Sequence, residues 1–261
     1  MFASAYRVTM TSTPVYLEID GIPAPDPALL TSLMSGYGHF TAMQVRDGRA
    51  RGLALHLARL DGAHRELFGA GLDADRIRTL AGRALRGSGR RDASLRVYGY
   101  EDALVVTVQE PFAPDPSPWL LMSVPYLRPA AHLKHLGGFG QSYHRQAAAR
   151  AGFDEALLTG PDGAVAEGAI TNVAFWDGEQ LVWPSAPHLT GITMALLTRR
   201  LPSVVRPVTL ADLPSFRACL VTNSRGIAPV TRIDRVAYPV DEELMARVEA
   251  AYEQAPWDPI G

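Results

Sequence analysis

The amino-acid sequence predicts an α+β fold. Its strand-like segments come as hairpins closed by Asp-Gly turns, and they do not alternate strictly with helices as they would around a parallel sheet. Hydrophobic residues make up 47% of the 261 residues and charged residues 20%, which is typical of a folded globular protein. The length allows one large or two modest domains.

The first part of the chain predicts a hairpin, two helices and a strand pair. Residues 1–14 are expected to form a flexible leader, and alternation over 15–21 predicts a strand. Asp47-Gly48 predicts a hairpin turn. Leucines at helical spacing from Leu53 to Leu67 predict a helix that ends at Gly69 or Gly71. A second helix over about 73–87 and paired strands over 94–100 and 103–109 follow.

Four prolines within residues 111–118 mark the best linker in the chain. After it, the patterns predict a strand over 120–127 and a short helix closed by Gly152. Two hairpins follow, with turns at 161–163 and 177–178. The remaining predictions are a helix opened by Gly191, a buried strand over 216–223 and a last helix over about 240–253.

Charge and cysteine content exclude several classes of function. The net charge of −2 gives no basic footprint for nucleic acid. The single cysteine excludes an intrachain disulfide and a cysteine zinc site, and the histidines lack metal-binding spacing, so we expect no metal. We found neither a signal-peptide pattern nor an apolar run of transmembrane length. These patterns predict a soluble cytoplasmic protein with no membrane or nucleic-acid partner.

Lys134 is the only lysine among the 25 basic residues, and the other 24 are arginine. Arginine serves solubility and anion pairing as well as lysine does, but it stays protonated and cannot act as a nucleophilic amine. A desolvated lysine can attack a carbonyl and form a Schiff base. Composition alone favours the interpretation that one lysine was retained by chance in an arginine-biased sequence. Whether Lys134 has a function therefore depends on the neighbouring motifs.

Three segments offer groups for binding an anion. Gly191 stands at a predicted helix start, with the Thr193 hydroxyl beside it; many ordinary helices begin in the same way. The polar turn over 221–226 follows a buried strand, and an ordinary Asx turn is the simpler interpretation. Arg59 lies on the leucine-lined side of its helix, where an arginine often extends its charged end to solvent.

Glu167 is the candidate acid, standing between two predicted strands among small residues. Such a carboxylate is often only an exposed residue of a turn, but it can also pair permanently with a cation. A Schiff-base lysine, phosphate donors and one carboxylate are together what pyridoxal 5'-phosphate requires, because a carboxylate beside the ring nitrogen keeps it protonated. No GxGxxG or Walker motif offers another use for the phosphate donors.

Residues 132–197 resemble the core signature of the class IV aminotransferases, pyridoxal-phosphate enzymes of fold type IV. The stretch carries, in the family's order, the lysine, a short helix, "DEALL", "EGxxxN", a DG hairpin and "GIT". Upstream, residues 36–60 resemble the family's N-terminal hairpin and "HxxRL" helix. Downstream, residues 221–234 resemble its last phosphate loop. The likeness covers about residues 15–235.

The resemblance implies a D-amino-acid-aminotransferase-like architecture. A small N-terminal α/β domain would span 15–112 and a larger, β-rich, cofactor-binding domain 119–261, joined by the linker 113–118. It further implies a homodimer, with the active site between the domains and near the dimer interface.

The resemblance also assigns roles to individual residues. Lys134 matches the Schiff-base lysine, and Glu167 matches the carboxylate that pairs with the ring nitrogen. The residues that match phosphate-binding positions are Arg59, Ile192, Thr193 and Asn223, with Ser224 beside the last. Phe40 falls at the substrate pocket.

Two departures separate the chain from particular branches of the family. Branched-chain enzymes carry a tyrosine five residues after the lysine that binds the cofactor's ring hydroxyl; here that position is Phe139, which we assign to the substrate pocket. The "LKHL" run over 133–136 is like that of aminodeoxychorismate lyases, which continue with Asn-Arg where this chain has Gly137-Gly138. Neither branch fits well.

These expectations lead to one leading function and two alternatives. The leading function is transfer of an amino group between an amino acid and a 2-oxo acid through the Lys134 Schiff base. An aminodeoxychorismate-lyase-type elimination that releases pyruvate is the first alternative. A non-catalytic pyridoxal-phosphate-binding protein is the second.

Overall fold

The computed structural model describes residues 18–19, 22–23, 30, 33–113 and 117–261. The predicted leader 1–14 and the centre of the predicted linker lie outside these residues. Of the strand predicted over 15–21, only β1 (Glu18–Ile19) is described; it pairs with β2 (Ile22–Pro23). The rest of the described chain forms two β-sheets with helices packed on them, so the α+β prediction is confirmed.

The smaller sheet contains five antiparallel strands. They are β3 (His39–Arg46), β4 (Arg49–Arg51), β5 (Ala93–Gly99), β6 (Leu104–Gln109) and β16 (Trp257–Pro259), in the order β16-β4-β3-β5-β6. Asp47 and Gly48 both have positive φ, 49° and 71°, as the tight turn between β3 and β4 requires. The predicted hairpin and the predicted pairing of β5 with β6 are both confirmed.

Two helices pack on this sheet. Helix α1 (Leu53–Phe68) begins after Gly52 and ends at Gly69, both in left-handed conformation, so the predicted end at Gly69 is confirmed. Helix α2 (Ala74–Ser88) begins at Asp73, whose side chain accepts from the Asp75 N–H. Leucines and valines from the helices and from β3 to β5 share one buried core.

The larger sheet contains nine strands of mixed direction. They are β7 (Trp119–Pro125), β8 (Glu155–Thr159), β9 (Val165–Gly168), β10 (Asn172–Trp176), β11 (Leu181–Pro184), β12 (Ser203–Arg206), β13 (Ala218–Asn223), β14 (Gly226–Ile233) and β15 (Val236–Ala237). The main path is β12-β11-β10-β13-β14-β7-β8-β9, with β15 paired to β14. The predicted hairpins β8–β9 and β10–β11 are confirmed. The parallel neighbours of β7, which are β14 and β8, were not predicted.

Three helices accompany the larger sheet: α3 (Phe139–Arg150), α4 (Ile192–Thr198) and α5 (Glu242–Glu253). All three were predicted. Strand β14 was not, because Pro229 lies within it and proline removes a ladder hydrogen bond. Beyond α5 the chain returns to the smaller sheet, where β16 pairs with β4. The sequence interpretation had assigned those residues to the larger domain. Within the described residues, no helix is long and apolar enough to cross a membrane.

Candidate active site

A cavity of about 360 Å³ opens where the two sheets meet. Its walls come from β3 and β5 of the smaller sheet, from α1, and from β9, α4 and the β13–β14 turn. Eight of the nine predicted site residues line it: Phe40, Arg59, Lys134, Glu167, Ile192, Thr193, Asn223 and Ser224. Residues that are more than 180 positions apart in the chain therefore share one concave site.

Phe139 is the exception, and its assignment to the pocket is corrected. It is the first residue of α3, and 82% of its surface is exposed. Its ring stacks on Tyr143 one turn further along, with ring centroids 6.0 Å apart. The side chain thus lies along the outside of α3 and does not line the cavity.

The segment that carries Lys134 is bound to the smaller sheet through its backbone. The Phe40 N–H donates to the Lys134 carbonyl at 2.9 Å, and the Leu136 N–H donates to the Gly38 carbonyl at 2.9 Å. A Cβ on Gly38 would come within 2.9 Å of the Gly99 carbonyl oxygen and 3.0 Å of Leu136 Cδ1, so glycine permits the close approach of both groups. The lysine backbone is therefore held on β3, although its side chain extends into the shared cavity.

The Lys134 amine has no hydrogen-bond or ion-pair partner among the described residues. Its Nζ lies 4.8 Å from the centroid of the Phe40 ring. Burial, followed by repulsion from Arg59 and Arg128, lowers the pKa of Lys134 to about 7. A large fraction of this amine is therefore neutral near pH 7, which is the form that attacks carbonyl carbon.

Glu167 is the acidic group in the same wall, and it is only 5% exposed. Its Oε1 accepts from Arg128 Nε at 3.0 Å, and its Oε2 accepts from the Leu189 N–H at 3.1 Å. Burial raises the pKa of Glu167, and the Arg128 charge and both hydrogen bonds act in the opposite direction. Each carboxylate oxygen keeps a further acceptor site for a donor in the cavity.

Arg128 is a site residue that the sequence analysis missed. It is buried, and besides Glu167 it donates to the carbonyls of Ala131 and Leu133, just before the lysine. Nothing in the local sequence separates it from the other arginines. Its partner Glu167 lies 39 residues away, so only the fold reveals the contact.

Arg59, on helix α1, supplies positive charge to the cavity. It donates to the Thr41 hydroxyl, which also shares a 2.7 Å hydrogen bond with His56 Nδ1. Its Nε is buried without a partner, and no carboxylate among the described residues pairs with the guanidinium. Burial lowers the pKa of Arg59 to about 10, so it remains a cation at neutral pH. This guanidinium is therefore available to an anion.

Two of the predicted phosphate-binding residues, Thr193 and Asn223, use polar groups in hydrogen bonds within the protein. The Thr193 hydroxyl donates to the Asn223 carbonyl at 2.8 Å, and Asn223 Oδ1 accepts from the Arg225 N–H at 2.7 Å, as in an Asx turn. The neighbouring Thr222 was missed: it lines the cavity, and its buried hydroxyl has no hydrogen-bond partner in the part of the chain that the structure describes. Thr222 lies within the polar turn segment 221–226, directly before the predicted Asn223.

Comparison with known families identifies the family of this chain. The family described as amino-transferase class IV matches residues 38–233, which include every residue of the cavity named above. The chain belongs to the class IV aminotransferase family. The resemblance seen in the sequence is therefore confirmed. Enzymes of this family depend on pyridoxal phosphate.

Solved structures of class IV enzymes share the fold. A proposed 4-amino-4-deoxychorismate lyase from Legionella pneumophila is 19% identical, with a TM-score of 0.78, and the match covers 86% of this chain and 93% of that one. A hypothetical aminotransferase from Mycobacterium tuberculosis in its pyridoxal-phosphate-bound form is 24% identical (TM-score 0.73, 85% and 90% covered). A fold IV transaminase from Curtobacterium pusillum is 26% identical (TM-score 0.72, 85% of each chain covered). Comparison with curated protein sequences gives no match.

Proposed function

We propose that this protein is a pyridoxal-phosphate-dependent aminotransferase that moves an amino group between an amino acid and a 2-oxo acid. The observation that carries the proposal is the position of the chain's only lysine. Its amine lies in the cavity, has a pKa lowered to about 7, and shares that cavity with a buried carboxylate that is paired with arginine. Surface lysines have neither property.

The donors of the cavity fit pyridoxal phosphate. The guanidinium of Arg59, which pairs with no carboxylate among the described residues, and the hydroxyl of Thr222 suit the phosphate, and Ile192 and Thr193 line the same cavity. Asn223 and Ser224 also line the cavity. The Lys134 amine suits the aldehyde, and Glu167 suits a protonated ring nitrogen. A Cβ on Gly191 would clash with Asn172 Oδ1, so glycine permits the close approach of these two cavity-lining residues.

When bound, pyridoxal phosphate supplies an aldehyde that condenses with amines and a ring that withdraws electrons from the substrate's α-carbon. The neutral Lys134 amine would hold the cofactor through its aldehyde carbon. When freed by a substrate amine, it would act as the base that moves a proton between the substrate's α-carbon and the cofactor's aldehyde-derived carbon. Glu167 holds the proton on the ring nitrogen, because a carboxylate that accepts from a cationic N–H stabilises the charged form. Transamination then needs two such half-reactions, one for each substrate.

The lyase alternative remains a second candidate because of two features of this chain. The 133–136 run is like that of the lyases, and Phe139 lacks the hydroxyl found in branched-chain enzymes. A lyase would release pyruvate from an amino-chorismate-like substrate without any 2-oxo acid acceptor. Product formation that requires an added 2-oxo acid supports transamination, whereas pyruvate formed without one supports elimination. A protein that binds the cofactor and responds to no amino donor would be non-catalytic.

Borohydride reduction followed by peptide mapping tests the cofactor assignment. Borohydride reduces the carbon–nitrogen double bond between the cofactor and a lysine and so leaves a stable secondary amine. We expect one pyridoxyl-phosphate adduct, on the peptide that contains Lys134. The Lys134→Arg variant keeps the charge and is the matched control, and it should carry no adduct. An unmodified Lys134 after incubation with excess cofactor would contradict the proposal.

We also propose that the protein is a homodimer acting on a small-molecule substrate. Phe139 and Tyr143 expose 82% and 55% of their surfaces on α3, beside the cavity-lining residues Gln141 and Ser142. Burial of these rings against a second subunit would stabilise a dimer through apolar contact. Sedimentation equilibrium should give twice the chain mass, and Phe139→Ser should weaken association. A monomer at micromolar concentration would contradict this proposal.

A further inference from the structure

Arg128 connects the two groups of the cavity that carry the proposed chemistry. Its Nε donates to Glu167, on β9 of the larger sheet. Its terminal nitrogens donate to the carbonyls of Ala131 and Leu133, in the segment that leads into Lys134. Only 6% of Arg128 is exposed, so these contacts form away from bulk water.

The planar guanidinium makes this connection rigid. Its N–H groups point in fixed directions, so three bonds to three separate acceptors leave it little freedom to move. Lys134 itself is attached to β3 by the Phe40 amide, whereas Glu167 belongs to the larger sheet. Among the hydrogen bonds of the described residues, those of Arg128 are the ones that join the lysine segment directly to Glu167.

Arg128 also affects the charge of both groups. A cation at 3.0 Å favours the ionised form of the Glu167 carboxyl, which burial disfavours. The same cation disfavours the protonated form of the Lys134 amine, and it does so more strongly than Glu167 acts in the opposite direction. A single positive charge therefore favours the basic form of the carboxylate and the nucleophilic form of the lysine.

We propose that Arg128 is a positioning residue that sets the spacing between the Lys134 segment and Glu167 and brings one positive charge to this part of the cavity. The catalytic meaning of this role rests on the proposed function. The aldehyde carbon and the nitrogen of pyridoxal stand at opposite ends of one aromatic ring, so the groups that serve them need a fixed separation. Arg128 provides this separation, because it is hydrogen-bonded both to the segment before Lys134 and to Glu167.

Because Lys134 is the only lysine, the extent of amine labelling on its peptide reports the protonation of a single ε-amine. The full-length protein, freed of cofactor, is treated briefly with acetic anhydride across a pH series, and the Lys134 peptide is quantified by mass spectrometry. We expect half-maximal labelling near pH 7 in the parent protein. In Arg128→Gln the midpoint should rise by about one pH unit. Arg150→Gln, at an exposed arginine in the last turn of α3, should leave it unchanged.

Arg128→Lys separates charge from geometry and also serves if Arg128→Gln fails to fold. It retains the cation but cannot make the same three-point contact. Its Lys134 midpoint should move less than that of Arg128→Gln, while its dissociation constant for pyridoxal phosphate should rise at least about tenfold. An unchanged midpoint in a folded Arg128→Gln, or parent-like values of both quantities in Arg128→Lys, would overturn the proposal. The labelling assay contains no cofactor, so a protein that binds no pyridoxal phosphate would refute the proposed function but leave this result readable.

Discussion

The Ile170 N–H donates to Glu155 Oε2 at 3.1 Å, and this bond fixes a cavity-lining residue to a carboxyl with no solvent exposure. The other oxygen of Glu155 accepts from the Ala156 N–H, and the nearest cation, Arg145, is 3.8 Å away. Burial raises the pKa of Glu155 to about 7. The loop between β9 and β10 is therefore supported by a group that titrates near neutral pH.

We expect Glu155 to make the protein less stable as pH rises towards 7. Its folded pKa is above the unfolded value near 4.5, so the folded state binds the extra proton between these two values. The free energy of unfolding then falls by up to about 1.4 kcal/mol per pH unit across this window, with no further loss above it. Urea unfolding at pH 5 and pH 7 measures this, and Glu155→Gln should flatten the difference. An equally steep decline in the variant would exclude Glu155 as the source.

Replacement of Lys134 by arginine should preserve the fold and abolish turnover. Arginine retains the charge but stays protonated, so the nucleophile and proton carrier are lost. We expect a loss of at least about a thousandfold in kcat, equivalent to about 4 kcal/mol of barrier. Steady-state assays with a far-ultraviolet circular dichroism spectrum measure both properties. Substantial turnover by a correctly folded Lys134→Arg would refute the assignment of Lys134.

Replacement of Glu167 by glutamine should leave cofactor bound but slow proton transfer. The neutral amide no longer stabilises a charge on the ring nitrogen, and we expect a barrier higher by roughly 3 kcal/mol. A glutamine NH₂ would also face the N–H donors of Arg128 or Leu189, which costs about 1–3 kcal/mol of stability. Single-turnover kinetics measure the first effect and thermal unfolding the second. Glu66→Gln, at an exposed carboxylate, is the control; a parent-like rate in Glu167→Gln would reject the role of Glu167.

Replacement of Arg51 should loosen the returning strand β16. The Arg51 guanidinium lies 4.8 Å from the Tyr252 ring centroid and 4.4 Å from that of Trp257, and it donates to the carbonyls of Glu253 and Ala255. Arg51→Ala removes these contacts and should cost about 1–3 kcal/mol. Amide hydrogen exchange over 254–261 should become faster, while exchange in β5 should not change. Equal protection of 254–261 in the variant would show that strand pairing alone holds β16.

Local patterns were enough to predict most elements, and the family resemblance then placed Lys134, Arg59 and Glu167 in one site. The Asp47-Gly48 turn and the leucine spacing of α1 act over a few residues, and so they can be read directly from the sequence. Arg128 and Thr222 could not be found in this way, because their roles depend on distant partners or on burial. The same applies to β14, whose proline argues locally against a strand, and to β16, whose partner β4 lies about two hundred residues earlier.

The attachment of Lys134 to β3 has a consequence for evolution. Both hydrogen bonds use only backbone groups, from Gly38, Phe40, Lys134 and Leu136. The side chain at position 40 can therefore mutate without releasing the lysine, although it faces the cavity and its ring lies beside the amine. Descendants of this sequence could acquire new substrate preferences at this position and inherit the nucleophile in place.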